Sequence, residues 1–223
     1  MSQLSHDATA SAKGLIYQLY LAVDWCFELL EGQSLFIERF GDLSVDQKYN
    51  IEIKHYDEVL TDAHINLWKT LNNWIQPEFD LSRFQRLILL TTQDIGKQSC
   101  LNDWEAKDAN EKLTILRSIK DGALARFSTS QKVNKSTSLK MMEKAFEDEV
   151  RLCAILKKFE IISSQPMLED KFEEIVQRHS KPIPAVNKER FIKALFGFVV
   201  DPEIIVNNQW EITYASFTNE VEN

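Results

Sequence analysis

The spacing of apolar positions along this 223-residue chain changes several times, and each change marks a new element. Between residues 10 and 31, Leu15, Leu19, Ala22, Val23, Cys26, Phe27 and Leu30 recur at helical spacing until Gly32 stops the pattern, so a long first helix is expected. Three short strand-like runs follow at 34–40, 42–45 and 50–56. A polar turn at 46–49 joins the last two, and together they predict an antiparallel meander. Asp62 is the expected N-cap of a helix over 63–75 that offers Ile65, Leu67, Trp68, Leu71 and Trp74 to a core, with Pro77 just beyond it. The run 86–92 is almost continuously apolar and of strand length, the pattern of a central strand covered on both faces.

Helical patterns over 108–127 and 138–158, parted by a loop at 128–137, lead to a candidate last strand at 159–163. Helical spacing returns over 167–179 and 188–200, around a connector with Pro182 and Pro184. The stretch 210–217 fits strand or helix equally, and the polar end 218–223 reads as a cut or a linker. These patterns point to an α/β fold with a mixed central sheet flanked by helices. The expected division is a disordered leader over 1–9, a core over 10–165, and a helical C-terminal extension over 166–223 packed on that core.

Composition sharpens this picture in three places. At 44% hydrophobic the chain can bury one good core. Its longest apolar run, 195–200, is far short of the roughly 20 residues of a membrane span, and its first residues lack signal-peptide order, so a cytoplasmic protein is expected. Cys26, Cys100 and Cys153 show neither disulfide nor zinc spacing and read as buried small hydrophobes. A net charge of −8 weighs against a nucleic-acid partner, but it hides an asymmetry. Lys112, Arg117, Lys120, Arg126, Lys132, Lys135 and Lys140 face only Asp121 in their stretch, a local +6 that leaves the rest near −14. That stretch is the candidate DNA-binding surface, with a solvated helix face as the plainer reading.

The candidate chemistry lies in the meander. Strand alternation puts Asn50, Glu52, Lys54 and Tyr56 on one face and Ile51, Ile53 and His55 on the other, which makes His55 a packing residue. Asp42 opens the neighbouring strand ten positions before Glu52, so a short hairpin brings the two carboxylates together. Phosphodiester cleavage uses such a group: Mg²⁺ or Mn²⁺ held by Asp42 and Glu52 polarises the phosphate and acidifies a bound water. Lys54 beside that water orients it and offsets the developing charge. Gln18 on the first helix and Glu38 near the end of the first strand are further candidates, as a water-positioning group and a metal ligand. The alternative is a solvated strand face with a cross-strand ion pair.

Several stretches, in order, resemble the double-stranded-DNA endonuclease domain of the PD-(D/E)xK type found in CD-NTase-associated antiphage effectors and related bacterial defence proteins. Ala12-Lys13-Gly14-Leu15-Ile16-Tyr17-Gln18 resembles the opening helix of that family, and Phe36 through Asp42 resembles its paired acidic strands. Ile51-Glu52-Ile53-Lys54-His55 is similar to its (E/Q)xK-H strand. Leu60-Thr61-Asp62 with Leu67-Trp68-Lys69-Thr70-Leu71, and then the strand from Leu87 to Thr92, look like its next two segments. The likeness covers about residues 10 to 95 and loosens beyond 100, where Phe196-Gly197-Phe198 matches a Gly-aromatic pair. It implies a restriction-endonuclease-like fold and Mg²⁺- or Mn²⁺-dependent cleavage of double-stranded DNA, with Asp42, Glu52 and Lys54 in catalysis and Gln18 and Glu38 nearby. It also implies self-association and gating by a sensor or ATPase domain or subunit. A catalytically inactive DNA-binding or scaffold subunit of a defence ATPase complex is the rival expectation.

Overall fold

The computed structural model describes residues 9–130 and 133–222. The chain runs α1 (Thr9–Cys26), β1 (Ser34–Ile37), β2 (Leu43–Val45), β3 (Tyr49–Lys54), α2 (Ile65–Ile75), β4 (Arg86–Thr91) and α3 (Ala109–Ser128). It continues with α4 (Thr137–Ala145), α5 (Glu149–Leu156), β5 (Phe159–Ile162), α6 (Leu168–His179), α7 (Lys188–Val199), β6 (Glu211–Thr213) and α8 (Tyr214–Glu222). It is an α/β protein whose strands pair in both senses, with helices packed around them. The chain divides into two compact units, Met1–His55 with Gln165–Asn223, and Tyr56–Ser164. Residues 166–223 thus group with the first 55, and of the expected leader only Thr9, already helical, falls among the described residues.

The first unit contains the expected antiparallel meander. β2 pairs with β1 and β3, placing Leu43 opposite Ile37 and Ile51, and β6 lies on the other side of β1 with Ile212 opposite Leu35. These apolar residues are fully buried or nearly so, each worth about 2 kcal/mol relative to exposure. α1 packs on β1, α6 and α7. The stretch 210–217, which fitted either state, is strand and then helix. At the junction Thr213 N–H donates to Ser216 Oγ and Ser216 N–H donates to Thr213 Oγ1, a reciprocal cap that turns the chain from β6 into α8. The polar end is helical to Glu222.

A buried charge cluster ties α6 to α1. The Asp24 carboxylate accepts from Arg178 at 3.1 Å, pairs with His179 Nε2 at 2.7 Å and lies 3.4 Å from the Lys171 ammonium. Lys171 also meets Glu174, and the His179 ring stacks on Phe27. Burial pushes the Asp24 carboxyl up, but His179, Lys171 and Arg178 outweigh it and hold the group below the usual carboxylate range.

In the second unit β4 and β5 run parallel, with Leu87 opposite Phe159. Trp68 and Trp74 of α2 are core residues, as their spacing predicts. Three expectations need correction. α2 starts at Ile65 with His64 as its N-cap, because Asp62 spends its carboxylate on Ser99 Oγ (2.5 Å) and Cys100 N–H (2.9 Å). The single helix expected over 138–158 is two, since the Asp148 side chain accepts from Arg151 N–H and starts a new helix. Cys26 is buried as expected, but Cys100 is exposed and Cys153 half-buried.

Candidate active site

The β1–β2 connection positions the site. β1 ends early because Glu38 takes a left-handed φ of 56°, and Gly41, at φ 138°, redirects the chain into β2. Three bonds fasten this turn: Glu38 N–H donates to the Asp42 carbonyl at 3.2 Å, Asn50 Nδ2 to the Phe40 carbonyl at 2.6 Å, and Gln18 Nε2 to the Asp42 carbonyl at 2.7 Å. A side chain at Gly41 would be tight. A Cβ there would lie 3.0 Å from Asn50 Nδ2 and 3.3 Å from Glu52 Oε1. Gly41→Ala is therefore expected to lower stability by about 2 kcal/mol through its strained φ. A urea titration measures that loss, and unchanged stability would show that the turn tolerates a Cβ.

On this frame Asp42, Glu52 and Lys54 come together. Asp42 Oδ2 accepts the Ile53 N–H at 2.6 Å and lies 3.3 Å from Lys54 Nζ. Lys54 Nζ also donates to Glu52 Oε2 at 3.0 Å and to the Ile53 carbonyl at 3.0 Å, so the three ammonium hydrogens have three acceptors. The Glu52 side chain is 5% exposed, Lys54 10% and Asp42 25%, so the cluster is enclosed at its base and reaches solvent at Asp42. Burial alone would lower the Lys54 pKa. The Glu52 and Asp42 carboxylates outweigh it and hold the ammonium above its ordinary value, so Lys54 is charged at neutral pH.

Gln18 and Glu38 are adjacent to this cluster through each other, with Gln18 Nε2 donating to Glu38 Oε1 at 2.9 Å. Among the described residues no group of three or more His, Cys, Asp or Glu side chains is gathered to hold a metal ion. Asp42 and Glu52 both meet Lys54 Nζ, while Glu38, expected as a further ligand, is engaged by Gln18. His55 packs its ring against Tyr17 at 4.8 Å, the packing role that strand alternation assigned it. Asn50, which strand alternation placed on the face of Glu52 without a role, and Gly41 also shape the site. Their signals were a polar residue two positions before Glu52 on its face, and a glycine next to Asp42.

The basic stretch does not form one open face. Lys112 is buried, donates to the Phe159 carbonyl at 2.9 Å and lies over the Trp104 ring, so it is withdrawn from the DNA-contact set. Burial lowers its pKa. Arg117 pairs with Glu149 and Lys135 with Glu143, while Lys120 lies over Phe146 beside Asp121. Arg126 and Lys140 are exposed, and Lys132 lies outside the described residues.

Comparison of the chain with protein-family models, curated proteins and solved structures finds no match. Among the described residues no helix is long and apolar enough to cross a membrane.

Proposed function

We propose that the chain is a metal-dependent endonuclease that hydrolyses phosphodiester bonds of double-stranded DNA on a restriction-endonuclease-like scaffold. Its setting is cytoplasmic antiphage defence. The observation that carries the reading is the convergence of Asp42, Glu52 and Lys54 on one partly open site. Two carboxylates against one ammonium leave the cluster net negative. Their hard oxygens suit Mg²⁺ or Mn²⁺, which keep several waters and need only one or two protein carboxylates. Asp42 and Glu52 would hold that ion, which when bound supplies polarisation of the phosphate and a more acidic water.

The chain's own residues account for the rest. Lys54 carries its proton on Nζ and so acts as a fixed positive donor that orients the attacking water and offsets charge building on phosphorus. Gln18 fixes the Asp42 backbone and holds Glu38. The choice of duplex DNA rests on the family likeness, because these groups read phosphate and not sugar. An ungated nuclease would cut its host's genome, so activity is expected to depend on self-association or on a sensor or ATPase partner.

One observation favours the rival reading of an inactive DNA-binding or scaffold subunit: Lys54 already neutralises part of the acidic pair, as a structural ion-pair cluster would. A substrate competition tests the proposal. Labelled duplex DNA, single-stranded DNA and RNA are offered together with Mg²⁺ or Mn²⁺, and duplex DNA is expected to be consumed first. Preferential loss of RNA or single strands would replace the substrate assignment.

A further inference from the structure

The turn that carries Asp42 also carries Arg39, which lines a polar cleft of about 470 Å³ in the same unit. Arg39 is held in place without being used up. Its guanidinium carbon lies 5.1 Å from the Phe36 ring centre and 5.3 Å from that of Phe40, so two aromatic faces position the fork. Its ion pair with Glu211 is long at 3.4 Å, with the side chains 38% and 33% exposed, and such pairs contribute little.

The other wall is a bent segment. A π-turn over Glu203–Asn207 leads into Gln209 and Trp210, both left-handed at φ 51° and 56°, and Trp210 Nε1 anchors the bend on the Val199 carbonyl at 2.9 Å. Consecutive positive φ values at non-glycine residues are costly, and the bend they make lines the cleft with Asn207, Asn208 and Gln209, together with Arg39. A guanidinium held over aromatic rings in a cleft lined by carboxamide-bearing residues is a set suited to phosphate oxygens.

We infer that this cleft holds a backbone phosphate of the nucleic-acid strand next to the one being cut, with Arg39 as its anchor and Glu211 as the acid that the phosphate displaces. The assignment rests on the nuclease reading, since it is the β1–β2 turn that sets Arg39 three residues before Asp42. Arg39 is here a substrate-positioning residue, and its effect should appear in binding before chemistry.

The test is fluorescence anisotropy of a labelled DNA duplex with the full chain in EDTA, repeated across salt concentrations. Arg39→Ala is expected to weaken binding about tenfold and to reduce the slope of log K against log salt by about one. Arg39→Lys should keep the slope while losing part of the affinity, and Glu211→Gln should tighten binding. Unchanged affinity and slope in Arg39→Ala, or weaker binding in Glu211→Gln, overturns the inference. Cleavage of the same duplex by the wild-type chain with Mn²⁺ is read alongside. Cleavage with no effect of Arg39→Ala on binding sinks the cleft alone. Absent cleavage even when the chain is clustered on a multivalent support, with the binding shifts as stated, sinks the nuclease reading and keeps a phosphate site. No binding by the wild-type chain overturns both.

Discussion

Lys54→Ala is expected to slow DNA cleavage by about two to three orders of magnitude, the usual effect of removing one preorganised donor from a developing oxyanion. The same change has a structural cost. Glu52 is 5% exposed on its side chain, and stripping its partner leaves a buried carboxylate, a loss of about 3 kcal/mol. A drop in activity could then report unfolding instead of chemistry. The double variant Glu52→Gln with Lys54→Ala measures the structural part, because the neutral amide needs no cation. It is expected to regain much of the stability lost by Lys54→Ala, read by urea denaturation, and to stay inactive because Glu52 is itself a proposed metal ligand. Recovery of cleavage along with stability would show that Glu52 and Lys54 serve the fold alone.

Asp24→Asn is expected to destabilise the chain by about 3 kcal/mol, because it leaves Lys171, whose side chain is 4% exposed, with Glu174 as its remaining ion-pair partner among the described residues. Arg178, held above its ordinary pKa chiefly by the Asp24 charge, loses that interaction as well. The pH dependence follows from the lowered Asp24 pKa. A carboxylate depressed in the folded state contributes stability that is fully present above its unfolded pKa of about 3.9 and is lost as pH falls through the folded value. The groups facing Asp24 from α6 are Lys171, Glu174, Arg178 and His179. Urea midpoints measured from pH 7 down to about 3 should therefore fall steeply for the wild type below pH 4 and less steeply for Asp24→Asn. Parallel curves would contradict the assignment.

The Asp42–Glu52–Lys54 cluster was legible in the sequence because its geometry is local. A strand period of two sets Glu52 beside Lys54, and one hairpin returns Asp42 to them. The meander, the β4 run and the tryptophans of α2 were legible for the same reason, since burial on a strand or one helix face repeats at a fixed period. What stayed hidden depends on partners distant in the chain. Asp24 interrupts the apolar run of α1, yet its cations lie some 150 residues later. Lys112 sits in a basic stretch, and nothing nearby marks that its ammonium finishes on the Phe159 carbonyl. The break between α4 and α5 turns on one competition: Asp148 can continue a helix poorly or cap a new one well. Asp62 looked like a cap for the same local reason and was drawn instead to Ser99 and Cys100.

The central claim is that the Asp42–Glu52–Lys54 cluster cuts DNA with a divalent cation. The most direct test is the conversion of supercoiled plasmid to nicked and linear forms by the full chain in Mg²⁺ or Mn²⁺, both free in solution and clustered on a multivalent support. The expected result is cleavage that EDTA abolishes and that Lys54→Ala slows by about two to three orders of magnitude. Cleavage that survives both controls, or its absence even when the chain is clustered, would contradict the account.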